Sequence, residues 1–301
     1  RDPKKSGEYF LKERRMKYVF MAAYEGEFEV KRMCKVLEVQ RSGYYAWRKR
    51  KPSTREQANQ ALLGLIATEH AKSRKTYGSP RVHVVLRRQG VKCGRNRVAR
   101  LMRLNGIVAR KKRRYYPRTT QRQIGVIPAP NRLNQDFSAA VPNQKWVSDF
   151  TYIETAQGWL YLAVILDLFS RRVIGWAMSA KMDTELVLTA LRMALSGRRP
   201  PAGLLHHSDQ GSQYTSNTYL NCLNAALVVL SMSGAGNCYD NAVMESFFST
   251  LKTECVTGIF LTHAQARTVI FEYMEVWYNR QRLHSTLGYL SPVDFELGLT
   301  L

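Results

Sequence analysis

The sequence predicts a mixed α/β domain with a five-stranded sheet, preceded by small all-α domains. Residues 143–255 alternate apolar and amphipathic stretches, in the order of three strands followed by helix, strand, helix, strand and helix. Three strands joined by short turns favour an antiparallel sheet, and the later alternation adds strands with helices on the sheet faces. Residues 16–116 instead place apolar side chains at helical spacing. Two kinds of architecture therefore follow one another along the chain.

The first helical region covers residues 16–56. Its apolar pattern predicts helices over 28–37 and 44–51, with Ser42 as the cap of the second. A helix, a short turn and a basic aromatic helix are typical of a helix-turn-helix, but a plain helical hairpin explains the pattern equally well. Residues 1–15 precede the first methionine, and we expect them to be a junction from an upstream segment.

The second helical region, residues 57–116, ends in a predicted helix over 95–104. This helix carries four arginines and no acidic residue: Arg95, Arg97, Arg100 and Arg103. Charge on a helix is usually only a solvated face, but arginines without acidic partners in so basic a chain favour contact with phosphates. We therefore expect a DNA-binding domain here, with Arg97 and Arg100 among the contacts.

A basic run then marks the boundary before the mixed sheet. Residues 110–118 read Arg-Lys-Lys-Arg-Arg-Tyr-Tyr-Pro-Arg, and Pro128 and Pro130 follow. Like charges keep such a stretch extended until a phosphate backbone neutralises them, although a spacer without contacts is the simpler alternative. We predict a linker over 117–138. The predicted DNA contacts in the run before it are Lys111, Lys112, Arg113 and Arg114.

The mixed sheet is predicted to occupy residues 139–255, with a helical tail over 256–301. Asp183 and Asp240 are predicted to cap helices within the sheet domain. The predicted strands are 145–154, 159–166, 171–178, 203–206 and 227–230, and the predicted helices are 183–195, 216–225, 239–253 and, in the tail, 263–278.

Composition limits the possible partners of the chain. Its 46 Lys and Arg against 23 Asp and Glu give a net charge of +23, which implies a polyanionic partner, most simply nucleic acid. The chain contains no run of about 18 apolar residues, so the sequence predicts no membrane span. The five cysteines are scattered without a Cys-x-x-Cys pair, which disfavours a zinc site and a disulfide framework. We expect reduced thiols in a cytoplasmic protein.

Three acidic residues lie on different predicted elements: Asp149 in a strand, Asp209 just past an apolar stretch and Glu245 in a helix. Singly, each has an ordinary explanation as a buried hydrogen-bonded Asp, a turn residue and a solvated helix position. Together, in so basic a chain, they predict a two-metal phosphodiester site. Mg²⁺ prefers such oxygen ligands, and an Asp shared between two ions with one further carboxylate for each is the minimal arrangement.

Helical spacing extends this prediction to a lysine. Met244, Phe247 and Leu251 form the stripe that faces the core, and Glu245 lies beside it. Lys252 falls on the same side as Glu245, two turns away. It would reach a DNA backbone near the metal site.

These motifs carry a resemblance to a known family. Residues 146–152 read Trp-Val-Ser-Asp-Phe-Thr-Tyr, residues 207–214 read His-Ser-Asp-Gln-Gly-Ser-Gln-Tyr, and residues 240–248 read Asp-Asn-Ala-Val-Met-Glu-Ser-Phe-Phe. They resemble the motifs of bacterial insertion-sequence transposases, whose members are often made by frameshift fusion of two reading frames. Stretches in the second helical region and in the tail, around residues 76–81 and 278–284, extend the resemblance over nearly the whole chain.

The resemblance implies a ribonuclease-H-like catalytic core similar to that of retroviral integrase. It implies that one strand is cut at an element end and that the freed 3′-OH attacks near the other end. The expected cofactor is Mg²⁺, as two ions for which Mn²⁺ can substitute. The expected partners are double-stranded DNA at element ends and target, and at least one further copy of the chain on that DNA. The residues that match the family motifs are Asp149, Asp209 and Glu245 as catalytic metal ligands, and Gln213, Asn241 and Lys252 as DNA contacts.

Two alternatives stay open. A nuclease of the same fold would hydrolyse DNA without joining it, and only a joining assay separates the two. A non-catalytic DNA-binding regulator derived from a transposase is the other alternative, against which the intact acids argue. We expect the protein to associate with the bacterial nucleoid.

Overall fold

The computed structural model describes residues 14–110, 128–234 and 238–298. These residues divide between Leu63 and Gly64 into two units. Lys111, Lys112, Arg113 and Arg114, which the sequence predicts to contact DNA, lie outside the described residues.

The first unit contains three short helices, α1 (Arg14–Ala23), α2 (Val30–Val36) and α3 (Arg41–Lys49). Ser42 lies inside α3, so the prediction that it caps this helix is wrong. Gly43 permits close packing onto α1, because a Cβ there would collide with the Tyr18 hydroxyl. Side chains from all three helices form the core, namely Tyr18, Met21, Met33, Cys34 and Tyr44.

Three further helices precede the sheet: α4 (Thr54–Lys72), α5 (Ser79–Arg88) and α6 (Arg95–Leu104). Pro80 lies in the first turn of α5, where its missing N–H is harmless. Helix α6 has the bounds that its sequence predicts, and Gly106 follows it at φ +64°. The apolar faces of α5 and α6 are buried through Val82, Leu86, Val98, Leu101 and Met102.

The sheet has five strands in the order β3-β2-β1-β4-β5. They are β1 (Lys145–Thr155), β2 (Gly158–Asp167), β3 (Val173–Ser179), β4 (Leu205–Ser208) and β5 (Val229–Met232). Strands β1 to β3 form an antiparallel meander, and β4 and β5 add parallel pairs. The predicted mixed five-stranded sheet is therefore confirmed. Gly158 supplies the positive φ of +100° that the turn between β1 and β2 requires.

Helices cover the sheet, and they include α7 (Thr184–Arg198), α8 (Asn217–Ala225) and α9 (Ala242–Glu254). The Asp183 carboxylate accepts a hydrogen bond from the backbone N–H of Leu186, which confirms the predicted cap of α7. Gly175 in β3 permits the close approach of α7, because a Cβ there would collide with the carbonyl of Ala190.

The tail begins with α10 (His263–Phe271), which continues as a π-helical segment, Glu272–Tyr278. After a 3-10 turn at Ser285–Leu287, α11 (Pro292–Glu296) is the last helix of the described residues. The Tyr77 hydroxyl, just before α5, donates to the carbonyl of Gln281 and accepts from the backbone N–H of Leu283. The tail is thus anchored to the helical region that precedes the sheet.

Asp240 does not cap α9 as predicted. Its carboxylate instead accepts hydrogen bonds from the side chains of Asn131 and Gln135 and from the backbone N–H of Gly234. The Ser231 hydroxyl accepts from the backbone N–H of Leu133, which is buried. Residues 131–135 of the predicted linker are therefore packed against the sheet domain.

No helix within the described ranges combines the length and the apolar character that a membrane crossing demands.

Candidate active site

Asp149 lies in the middle of β1, the central strand of the sheet. Strand β4 pairs with β1 only at residues 145–147, so its partner on that side ends just before Asp149. The side chain is half-buried, and its Oδ1 accepts a hydrogen bond of 2.8 Å from the backbone N–H of Phe150. The central strand thus carries a carboxylate just beyond the point where its pairing with β4 ends.

Asp209 follows β4 directly. The last parallel pair of β1 and β4 is Val147 with His207, so Asp149 and Asp209 each lie two residues beyond the same pair. Asp209 Oδ1 accepts from the backbone N–H of Gly211 at 3.0 Å. A Cβ on Gly211 would lie 3.0 Å from that same oxygen, so the turn favours glycine here.

Glu245 lies in the first turn of α9. The start of this helix is held over β1 because the Asn241 Nδ2 donates to the carbonyl of Ser148 at 3.4 Å. Met244 and Phe247 are buried beneath the helix, whereas Glu245 is exposed. The predicted placement of Glu245 beside the apolar stripe agrees with this burial pattern.

The pKa of Asp149 depends on the other two acids. Desolvation raises its pKa well above the usual value for Asp, and the negative charges of Asp209 and then Glu245 raise it further. The backbone N–H of Phe150 and the charge of Lys252 act in the opposite direction. Partial desolvation also raises the pKa of Glu245. Three elements therefore bring carboxylates into one another's field, where a cation would be stabilised.

The donor set suits a hard divalent cation. Carboxylate oxygens are the ligands that Mg²⁺ prefers, and Asn241 adds a buried Oδ1 that has no hydrogen-bond partner among the described residues. A buried polar atom without a partner is uncommon and suggests a missing ligand or water. Within residues 14–110, 128–234 and 238–298, no three His, Cys, Asp or Glu side chains are already arranged to hold a metal ion.

Lys252 lies two turns along α9 from Glu245. Its Nζ is 4.8 Å from the centre of the Tyr152 ring. Desolvation lowers the pKa of Lys252, and the charge of Asp149 opposes that shift. The lysine predicted to accompany Glu245 therefore extends over β1 towards the acidic side chains.

Family models match most of the chain. An "Integrase core domain" model matches residues 139–238, a second model of that description matches residues 245–297, and an "HTH-like domain" model matches residues 57–115. The transposase InsF of insertion sequence IS3A from Escherichia coli K12 is 44% identical over 284 residues, which cover 93% of this chain and 98% of that protein. This chain belongs to the insertion-sequence transposases. A 31 kDa protein of insertion element IS600 from Shigella sonnei is 46% identical over 88% of this chain and 97% of its own length.

A solved structure also resembles the transposase. A chain of the simian T-cell lymphotropic virus intasome, in complex with PP2A regulatory subunit B56 gamma, matches with a TM-score of 0.44. The two chains are 13% identical, and the match covers 77% of the transposase and 74% of that chain.

The matched HTH-like domain lies on α4 to α6, in the second helical region of the transposase. The helix-turn-helix that the sequence suggests for residues 16–56 stays a prediction. On α6, Arg100 is exposed and Arg97 is partly exposed, as a phosphate contact requires.

Two of the predicted DNA contacts are buried in the transposase. The Gln213 Nε2 donates to the carbonyl of Met182, and Gln213 is 8% exposed. Asn241 is 7% exposed and holds α9 to β1. Direct contact with DNA would require either side chain to leave these positions, whereas their present bonds position the loop after Asp209 and the helix of Glu245.

Two further acids, Asp167 and Glu254, have partners that the sequence does not predict. Asp167, at the end of β2, accepts from the backbone N–H groups of Asn143 and Phe169 and forms an ion pair with Arg198 at 3.1 Å. Glu254, at the end of α9, forms a buried ion pair with Arg282 at 2.8 Å. Their partners are distant in sequence, so the local pattern carries no signal for either role.

The paired histidines before Asp209 are structural. His206 Nε2 lies within hydrogen-bond distance of Ser148 Oγ and of the Tyr219 hydroxyl, and both His207 ring nitrogens lie near serine hydroxyls. Desolvation lowers the pKa of His206 to about 3 and that of His207 to about 4. Both rings are therefore neutral at pH 7.

Proposed function

We propose that this DNA transposase cleaves one strand at the ends of an insertion sequence and joins the freed 3′-OH to DNA. The observation that carries this proposal is the meeting of Asp149, Asp209 and Glu245, from β1, the end of β4 and α9, in one electrostatic site. The chain has a net charge of +23. Acidic side chains that lie close together repel one another, and a bound cation would remove that repulsion.

The three acids would hold two Mg²⁺ ions, with Asp149 shared and Asp209 and Glu245 on one ion each; Mn²⁺ can substitute. Such ions, when bound, activate the attacking oxygen and stabilise the charge that develops on the phosphate and the leaving oxygen. Buried Ser148 and Asn241 keep β1 and α9 in register, which fixes two of the carboxylates relative to each other.

Basic side chains would then hold the DNA. Lys252 would contact a phosphate next to the acids, and Arg97 and Arg100 would contact phosphates from α6. Lys111, Lys112, Arg113 and Arg114 complete the proposed basic contacts. Gln213 and Asn241 would act close to the DNA chiefly by positioning the catalytic elements.

We further propose that at least two copies act on DNA, because two element ends must be held at once. Cytoplasmic, nucleoid-associated localisation accords with a DNA substrate and also stays a proposal.

A strand-transfer assay on labelled element-end DNA with Mg²⁺ tests the function. We expect Asp149→Asn and Glu245→Gln each to lower the yield of joined product by about 10²-fold or more, as loss of a group that stabilises transition-state charge does, and to leave DNA binding intact. Glu185→Gln is the matched control, because Glu185 is exposed on α7 in an ion pair with Arg192.

Undiminished joining by either variant of the acids would overturn the metal assignment. Nicking without joining by the unmodified protein would instead favour a nuclease.

A further inference from the structure

Three side chains form a continuous strip beside the catalytic acids: Lys252, Tyr152 and Trp159. Lys252 Nζ lies 4.8 Å from the centre of the Tyr152 ring. The Tyr152 and Trp159 rings meet edge to face, with centres 4.9 Å apart and planes at 79°. We call these three residues the aromatic strip.

Backbone pairing fixes the position of the strip. The antiparallel register of β1 and β2 pairs Tyr152 with Tyr161 and Glu154 with Trp159, so Tyr152 and Trp159 are diagonal neighbours on one face of the sheet. Tyr152 is three residues beyond Asp149, about 10 Å along the strand, so the two side chains leave opposite faces of the sheet. Lys252 connects them, because its Nζ lies over the Tyr152 ring and its charge acts on Asp149. The strip therefore reaches the acids through Lys252 and ends at the hairpin turn.

Trp159 is 47% exposed. A lone exposed apolar residue is ordinary on a protein surface. The Trp159 ring, however, contacts the Tyr152 ring, which in turn contacts Lys252. The charge of Lys252 acts on Asp149. An exposed aromatic ring next to a cation that could hold a phosphate is an arrangement on which proteins stack the bases of single-stranded nucleic acid.

We propose that the aromatic strip binds an unpaired nucleotide of the DNA strand next to the catalytic acids, with its base stacked on Trp159 and its phosphate held by Lys252. This inference rests on the proposed function, because it places the strand that is cut or joined.

The charge around the strip sets the direction in which the nucleotide lies. Glu154 is exposed and pairs across the strands with Trp159. A carboxylate repels a phosphate, so the backbone is held at the Lys252 end and the base at the Trp159 end. Because every base has a π-face, stacking here is tolerant of sequence, and the strip positions the strand without reading it.

The test uses a DNA duplex with a short unpaired 3′ tail that contains 2-aminopurine, whose fluorescence is quenched by stacking. Binding is measured in EDTA with the full chain, so that no cleavage occurs, and a fully paired duplex serves as the reference DNA. Trp159→Leu removes the ring but keeps an apolar side chain, Trp159→Phe restores a ring, and Leu227→Ala alters another exposed apolar residue, 67% exposed.

We expect the unmodified protein and Trp159→Phe to quench the tail and Trp159→Leu to leave it bright. Trp159→Leu should bind the tailed duplex about tenfold more weakly, the size of one lost stacking contact, and the paired duplex unchanged. Leu227→Ala should behave like the unmodified protein.

Equal quenching by Trp159→Leu would overturn the proposal, as would an equal loss of affinity for both DNAs. The outcome is separable from that of the proposed function, since quenching needs no reaction. If the protein neither cleaves nor joins DNA but still quenches the tail only when residue 159 carries a ring, the proposed role of the aromatic strip stands and the proposed transposase activity fails.

Discussion

Two groups of acids in this transposase show opposite designs. In the first, Asp149, Asp209 and Glu245 come from three elements, and desolvation followed by the charges of the other two acids raises the pKa of Asp149. In the second, each acid meets an arginine: Asp167 with Arg198, Glu296 with Arg172 and Arg198, and Glu254 with Arg282. Arginines of the same chain therefore neutralise the second group, whereas the metal ions proposed above would neutralise the first.

The comparison is sharpest along α9, where both kinds occur on one helix. Glu245, in the first turn, is exposed among acids, whereas Glu254, in the last residue of the helix, is buried and also accepts from the Tyr273 hydroxyl. Burial with a matched cation makes an acid part of the fold. Acids that converge instead raise one another's pKa, and a bound cation would relieve their repulsion.

The largest effect is expected at the buried pair of Glu254 and Arg282. Arg282→Met leaves a carboxylate buried without its cation and should lower the free energy of unfolding by about 3–5 kcal/mol, measured by urea unfolding. The double variant Glu254→Gln, Arg282→Met should regain much of this, because Gln still accepts from Tyr273. Arg280→Met is the control, since Arg280 is exposed. A loss as large in the control would remove the case for the pair.

Asp149 and Asp167 should respond to the same substitution with opposite sign. In EDTA, Asp149→Asn removes an acid whose ionised form is destabilised by desolvation and by Asp209 and Glu245, and it should raise Tm by about 2–4 °C. Asp167→Asn turns an NH₂ group towards N–H donors and should lower the free energy of unfolding by about 1–3 kcal/mol. Mg²⁺ should stabilise the unmodified protein more than Asp149→Asn. Thermal unfolding with and without Mg²⁺ measures both, and a shared sign would refute the contrast.

The smallest effect concerns Glu296 and pH. Burial raises its pKa, but hydrogen bonds from Arg198, Ser170 and Arg172 outweigh burial and hold the pKa below the usual value for Glu. The stabilisation is therefore present above the pKa of the unfolded chain, about 4.3, and is lost as pH falls through the folded value.

Glu296→Gln should reduce the free energy of unfolding by about 1 kcal/mol at pH 7. The difference from the unmodified protein should vanish at a pH below the folded value. A difference that stays constant across this range of pH, in urea titrations, would contradict the assignment.

Local pattern predicted the elements well where periodicity and turn residues agree. Helix α6 and the capping Asp183 match their predictions, and the strand order follows from short turns in the first half of the sheet. The prediction that Asp240 caps a helix is wrong, because an Asp just before a helix is typical of a cap in the sequence. Its hydrogen-bond partners, Asn131 and Gln135, lie more than 100 positions away. The spacing of residues in the sequence likewise does not predict that Gln213 and Asn241 are buried.

The sequence by itself determined the family and the mixed sheet and predicted the three acids, because these follow from local periodicity and short motifs. Tertiary structure decided which acids are neutralised, since the arginine partners of Asp167 and Glu254 come from other elements. It also decided that Trp159 stands beside Tyr152 and Lys252, a row that depends on strand register and on the packing of α9. Charge and ring contacts act through space, so only the folded chain brings them together.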